Sequence, residues 1–129
     1  CRYFVGLSST ATNTLGADNP AASNSVGLQF STNRGDTNFQ WSEDNGTQTL
    51  TNTGVAKSSA VYNVVFRTLT TTSILASIYN SQWTLLASNT LSTTLPGSTV
   101  DLGIFIGGET LTTAAKNFRV YKVNYATAY

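Results

Sequence analysis

Apolar and polar residues alternate along most of this chain with a period of two, the pattern of strands that bury one face. Val26, Leu28 and Phe30 share one parity, with Gly27 and Gln29 on the other. After the turn TNRGDT, Phe39 and Trp41 alternate with Asn38, Gln40 and Ser42. The two runs read as a hairpin around a Gly-containing turn. Asp44-Asn45-Gly46 marks a second tight turn, leading into the Thr-rich run TQTLTN. Tyr62, Val64 and Phe66 share one face of 61–67, and segments 74–80 and 82–87 read as a hairpin around Asn80-Ser81. Val100, Leu102, Ile104 and Ile106 form the clearest stripe, ending at Gly107-Gly108. An apolar run, 2–7, opens the chain, and FRVYKVNY at 118–125 closes it. In that last run Phe118 and Val120 share one parity while Tyr121, Val123 and Tyr125 share the other, which predicts a β-bulge or a strand covered on both faces.

No window of helical length shows a sustained period of 3.6, and 110–117 is long enough for one helical turn at most. Residues 8–24, small and polar with Gly16, Asn19 and Pro20, read as a long loop. About nine short strands separated by turns predict an all-β fold, an antiparallel two-sheet β-sandwich of jelly-roll or concanavalin-like type. The 129 residues suit a single domain, 1–129, without an internal linker. Cys1 at the start and the lack of methionine suggest a piece of a longer or processed chain.

Composition narrows the function classes. Apolar residues make up 40%, as in globular proteins, yet only 10% are charged, against about 25% in an ordinary domain. Thr, Ser and Asn fill the polar positions, and Thr suits the solvent face of a strand. Net charge is +1 and the basic residues are scattered, so no phosphate-tracking stripe exists and nucleic acid is not an expected partner. No apolar run approaches the roughly 20 residues of a membrane helix, so membrane insertion is not expected. With a single cysteine, an intrachain disulfide is impossible, and the fold rests on its core or its neighbours.

The chemistry is mostly negative. The chain has no histidine, which removes the commonest general base and metal ligand and every Ser–His or Cys–His arrangement. No metal, no cofactor and no enzymatic activity are expected. A glycosidase would need two facing carboxylates about 5–10 Å apart. Glu43 and Asp44 are adjacent and would point to opposite faces of a strand, which leaves Asp101 and Glu109 as the remaining candidates. Asp18, Asp36 and Asp44 are too dispersed for a calcium loop.

Two loops carry candidate ligand-binding residues. Arg34-Gly35-Asp36 spells an adhesion tripeptide, although a turn needing positive φ at Gly35, with Asp36 capping it, explains the same residues. Tyr79, Asn80 and Trp83 surround the predicted 80–81 turn. Their position favours Trp83 packing inward at the sandwich edge. The alternative is an exposed ring that stacks on sugars beside Asn and Ser. Tyr3, Phe4, Phe30, Phe39, Trp41, Tyr62 and Phe66 fall on strand patterns and are expected in the core.

The order GLQFSTNRGDTNFQW (27–41), NTGVA (52–56), VYNVVFR (61–67), SIYNSQWTLLAS (77–88) and GGETLTTAAKNFRVYKV (107–123), with RYFVGLSS at the start, resembles β-sandwich domains of tail-fibre, needle and other appendage proteins of tailed bacteriophages. The resemblance covers nearly the whole chain. It implies a virion protein, commonly trimeric, that contacts a host surface glycan or neighbouring virion proteins, and it carries over no site residue. Within it the Arg-Gly-Asp belongs to the common turn. The expected function is therefore a structural and attachment module on the virion surface. A carbohydrate-binding, lectin-like module of a secreted protein and a ligand-free capsid or decoration protein are the alternatives.

Overall fold

A computed structural model describes residues 1–9, 24–109, 119–120 and 122–124. Its strands form two antiparallel sheets, and no helix occurs among the described residues. The chain enters on β1 (Arg2–Ser8), then runs back and forth through β2 (Ser25–Ser31), β3 (Asn38–Asp44) and β4 (Gln48–Ala56). It crosses to a second sheet for β5 (Asn63–Thr70), β6 (Ser73–Tyr79) and β7 (Leu85–Leu91), and returns with β8 (Gly103–Glu109) beside β1. The five-stranded sheet has the order β4-β3-β2-β1-β8, and the three-stranded sheet has the order β5-β6-β7. All-β architecture in two layers thus matches the alternation in the sequence.

Register explains why the alternating residues meet. Leu28 stands opposite Val5 on one side and Trp41 on the other, and Val26 stands between Leu7 and Glu43. In the second sheet Val64 faces Ile78, Phe66 faces Ala76, and Ile74 faces Leu91. Residues directly opposite share a face, so these rows form the inner surfaces. Their buried centre is Val26, Leu28, Trp41, Ala76, Ile78 and Leu91. Trp41 meets Phe66 edge-on at 6.0 Å and locks the two layers together. Full burial of a side chain such as Ile78 or Leu91 is worth about 1.5–3 kcal/mol.

Several expected boundaries move. The 82–87 strand begins at Leu85 instead and runs to Leu91, because Asn80 to Thr84 form a longer loop than a two-residue turn. The stripe from Val100 enters β8 only at Gly103: Val100 closes a turn by donating to the Gly97 carbonyl at 3.0 Å, and Leu102 packs on the core from outside the strand. Eight strands are seen among the described residues. Of the expected strand at 118–125, Arg119, Val120, Lys122, Val123 and Asn124 lie in no strand, and the rest, with its predicted bulge, lies outside the described residues. The long loop 8–24 falls mostly there too, yet its ends meet, with Ser9 N–H donating to the Asn24 carbonyl at 3.0 Å.

The strand β2 is buried on both faces over its whole length. On the face away from the second sheet, Gly6 and Gly27 stand opposite one another with the Phe4 ring across them. A Cβ at Gly27 would lie 2.5 Å from Phe4 Cζ, and one at Gly6 would overlap the Val26 carbonyl oxygen. Only glycine allows this close approach.

Candidate functional site

Both loops singled out in the sequence lie toward one end of the sandwich. A run of rings connects them: Tyr3–Phe30 at 6.3 Å, Phe30–Phe39 at 5.9 Å and Phe39–Tyr62 at 5.2 Å. Asn63, next to Tyr62, pairs with Tyr79 at the end of β6. Lys57 lies over the Tyr3 and Phe30 rings, 5.9 and 5.8 Å from their centroids. No hydrogen bond or ring contact joins the two loops directly among the described residues.

The first loop connects β2 to β3 and is built around Asp36. Its carboxylate accepts the Ser31 N–H at 2.8 Å and the Arg34 Nε–H at 3.0 Å, and Arg34 Nη2 also contacts it. Asp36 N–H donates to the Ser31 carbonyl at 3.1 Å, and Gly35 adopts φ +80°, which a side chain would disfavour. Thr32 N–H donates to the Cys1 carbonyl at 3.0 Å and fastens the loop to the residue ahead of β1. The Asp36 side chain is only 7% exposed, and its charge is matched by Arg34 within the loop. The tripeptide is folded on itself, each charge paired with the other. Arg34 and Asp36 both take part in holding the turn.

The second loop connects β6 to β7 and has the opposite character. Trp83 is 62% exposed, the most exposed of the large apolar residues among those described, so it does not pack inward as its position at the sandwich edge suggests. Its φ is +61°, in the left-handed region where a bulky residue is a genuine outlier. Such strain of order 1–3 kcal/mol persists only where neighbours over-determine it. Asn80 supplies that determination. Its Oδ1 accepts the Gln82 and Thr84 N–H groups, each at 2.9 Å. Asn80 N–H donates to the Thr84 carbonyl at 3.0 Å, and the Asn80 carbonyl accepts from Trp83 N at 3.1 Å and from Asn63 Nδ2 at 2.8 Å.

This arrangement sets the Trp83 ring beside Tyr79, centroids 5.6 Å apart and planes inclined at 50°. Tyr79 pairs across the sheet with Leu85, which is 51% exposed, and a register irregularity next to it leaves Leu86 exposed as well. Asn63, Tyr79 and Leu85 thus form a row across the outer face of the second sheet, extended by Trp83. Of the sequence candidates, the fold brings Tyr79, Asn80 and Trp83 together, with Tyr79 and Trp83 as surface and Asn80 as scaffold. Asn63 and Leu85 complete the platform and were not singled out. Only the register of β5, β6 and β7 reveals them.

Glu43 and Asp44 serve the fold. Glu43 is buried, and its Oε2 accepts the Thr93 N–H at 2.8 Å and the Thr94 N–H at 3.3 Å, while Thr94 Oγ1 donates to the Glu43 carbonyl at 3.0 Å. It ties β3 to the segment following β7, and hence one sheet to the other. Asp44, on the opposite face, accepts the Gly46 N–H at 2.7 Å and closes the 44–46 turn. Asp101 is exposed ahead of β8, and Glu109 ends that strand, so about 20 Å of extended backbone separates them. That spacing does not make a facing glycosidase pair. Asp18 lies outside the described residues. Among those described, no three His, Cys, Asp or Glu side chains gather as a metal cluster would.

Comparison with known proteins finds no family model, curated protein or solved structure that matches this chain.

Proposed function

We propose that this chain is a non-catalytic attachment module that recognises a glycan through the platform of Trp83, Tyr79 and Leu85. The observation that carries the reading is Trp83 itself: a large aromatic, mostly exposed, held at φ +61° by a dedicated network around Asn80. A protein gains no core packing from such a residue, and strain maintained at an exposed aromatic points to recognition. The C–H face of a pyranose suits the electron-rich face of an indole, and surrounding amides suit its hydroxyls.

The resemblance to tailed-phage appendage domains supplies the setting. On a virion surface the module is present in several copies, a homotrimer being the expected arrangement, beside other virion proteins and facing a host cell-surface glycan. A single shallow platform binds weakly, at about millimolar Kd. Linked copies raise overall affinity by about 10²–10⁴ without a new contact. The low charge of the chain leaves a hydroxyl- and amide-rich surface compatible with such an assembly.

The test combines mass and binding. Light scattering on the full chain is expected to give a trimer, and a glycan array is expected to show binding that Trp83→Ala removes. A stable monomer that binds a glycan through Trp83 supports the lectin-like module without the appendage. An array on which wild type and Trp83→Ala behave alike refutes the recognition site.

A further inference from the structure

We propose that the Trp83 platform selects neutral hexopyranose units and rejects acidic sugars, an inference that rests on the glycan reading above. Between Arg67 and Asp101 the chain carries no charged residue, so β6, β7 and the loop joining them are electrically neutral throughout. On the third strand of this sheet, β5, the charged residue is Arg67, which pairs with Leu75, while the platform row lies at Asn63–Tyr79. Four residues of extended strand place the Arg67 Cα about 13 Å along the sheet from that row, so the backbone spacing exceeds the roughly 8 Å Debye length at physiological salt. Of the charged residues at the same end, Arg34 and Asp36 are paired within their own loop, and Arg2 stands in the five-stranded sheet opposite Ser31 and Glu109. Lys57 is engaged over the rings of Tyr3 and Phe30.

A carboxylate brought against Trp83 would lose hydration and meet no cation from β6, β7 or the loop joining them in exchange, and an unpaired charge is the costliest group to desolvate. A neutral sugar faces no such loss. Its C–H face covers the indole, while its hydroxyls meet amides. Asn80 spends its Oδ1 on Gln82 and Thr84, and Asn63 spends its Nδ2 on the Asn80 carbonyl. The Asn80 amide nitrogen and the Asn63 amide oxygen, one donor and one acceptor, are thereby left beside the rings, a combination suited to adjacent hydroxyl groups. Tyr79 and Trp83, inclined at 50°, enclose one sugar ring more naturally than they floor an extended chain.

The test measures binding of the full chain to dextran, mannan and galactan, and to polygalacturonate and polysialic acid, at about 0.05 M and about 0.5 M salt. At least one neutral polymer is expected to bind, with affinity unchanged within about twofold between the two salts and at least about tenfold above either acidic polymer. Trp83→Ala is expected to weaken that binding about tenfold or more, with Trp83→Phe restoring most of it and both variants keeping the wild-type circular dichroism. Trp83-dependent binding that prefers an acidic polymer and falls with salt overturns the neutral selectivity while leaving the glycan reading intact. Absence of Trp83-dependent binding to all five polymers overturns both. A change of particle mass in Trp83→Ala overturns both as well, since the platform would then be a contact between copies.

Discussion

The link most open to a quantitative test is Glu43, a buried carboxylate joining the two sheets. Its Oε2 receives two backbone N–H groups, one at 2.8 Å and one at 3.3 Å. Hydrogen bonds to a charged group contribute about 1.5–3 kcal/mol when well made. The longer bond here lies at the weak end of that range or below it. Glu43→Ala removes both acceptors, strands the Thr93 and Thr94 N–H groups and gives up the burial of the side-chain stem, for a combined loss of about 3–5 kcal/mol. Glu43→Gln keeps an oxygen of the same shape and loses only the charge assistance, for about 1–2 kcal/mol. Total stability of a domain is about 5–15 kcal/mol, so the difference between these variants is large. Urea unfolding followed by Trp41 fluorescence, in a Trp83→Phe background, reads it directly, because Trp41 is buried against Phe66. With a slope near 1.5 kcal/mol/M, the alanine variant should lose about 2–3 M in midpoint and the glutamine variant about 1 M, with the slope itself unchanged. A glutamine variant as stable as wild type would show that desolvation of the carboxylate cancels its attraction for the two N–H groups. An alanine variant within about 0.5 kcal/mol of wild type would refute the clamp altogether.

Three further outcomes follow from the geometry. Trp83→Gly should be more stable than Trp83→Ala by about 1 kcal/mol, since both lose the ring and differ in the Cβ that the left-handed backbone opposes; thermal melts of the pair check this, and equal stability would contradict the observed φ. Gly6→Ala should cost about 3 kcal/mol or more and reduce soluble yield, because its Cβ meets the Val26 carbonyl; Gly27→Ala should cost less, because the flexible Phe4 ring is its closest neighbour, and urea midpoints rank the two. Asp36→Ala should lower stability by about 1–3 kcal/mol by releasing Ser31 N–H and Arg34, yet leave glycan binding unchanged in the same array; loss of binding at unchanged stability would restore a ligand role for this loop.

The two-layer fold was legible because its strands carry the plain signal of one buried face. Val26, Leu28, Trp41, Val64, Phe66 and Ile78 all stand inward at the parity the alternation requires. The turn at Arg34–Asp36 was legible for a local reason, as Gly35 and an Asx cap act within a few residues. The hairpin at Asn80 was misjudged in length because its loop contains no glycine to announce a positive φ. Trp83 takes that conformation instead, held by a side chain three positions earlier. The run 82–87 read as a strand, while Trp83 and Leu85 are both exposed and the strand begins only at Leu85. Asn63 and Leu85 were invisible as site residues because cross-strand register decides who stands beside Tyr79, and alternation within one strand carries no information about it. Glu43 was weighed only as an acid, since its partners lie some fifty positions away at Thr93 and Thr94.

The Asn80 network has a consequence for how this surface changes over generations. The loop is held by atoms of Asn80, Asn63 and the backbone N–H groups of Gln82, Trp83 and Thr84. The side chains of Ser81 and Gln82 are exposed and take no part in those bonds. Shape and identity are thus assigned to different positions: one asparagine keeps the loop's form, while its neighbours are free to vary. Residues 81 and 82 can be exchanged without rebuilding the hairpin beneath them. Replacement of Asn80 would erase the presenting geometry for every such variant at once.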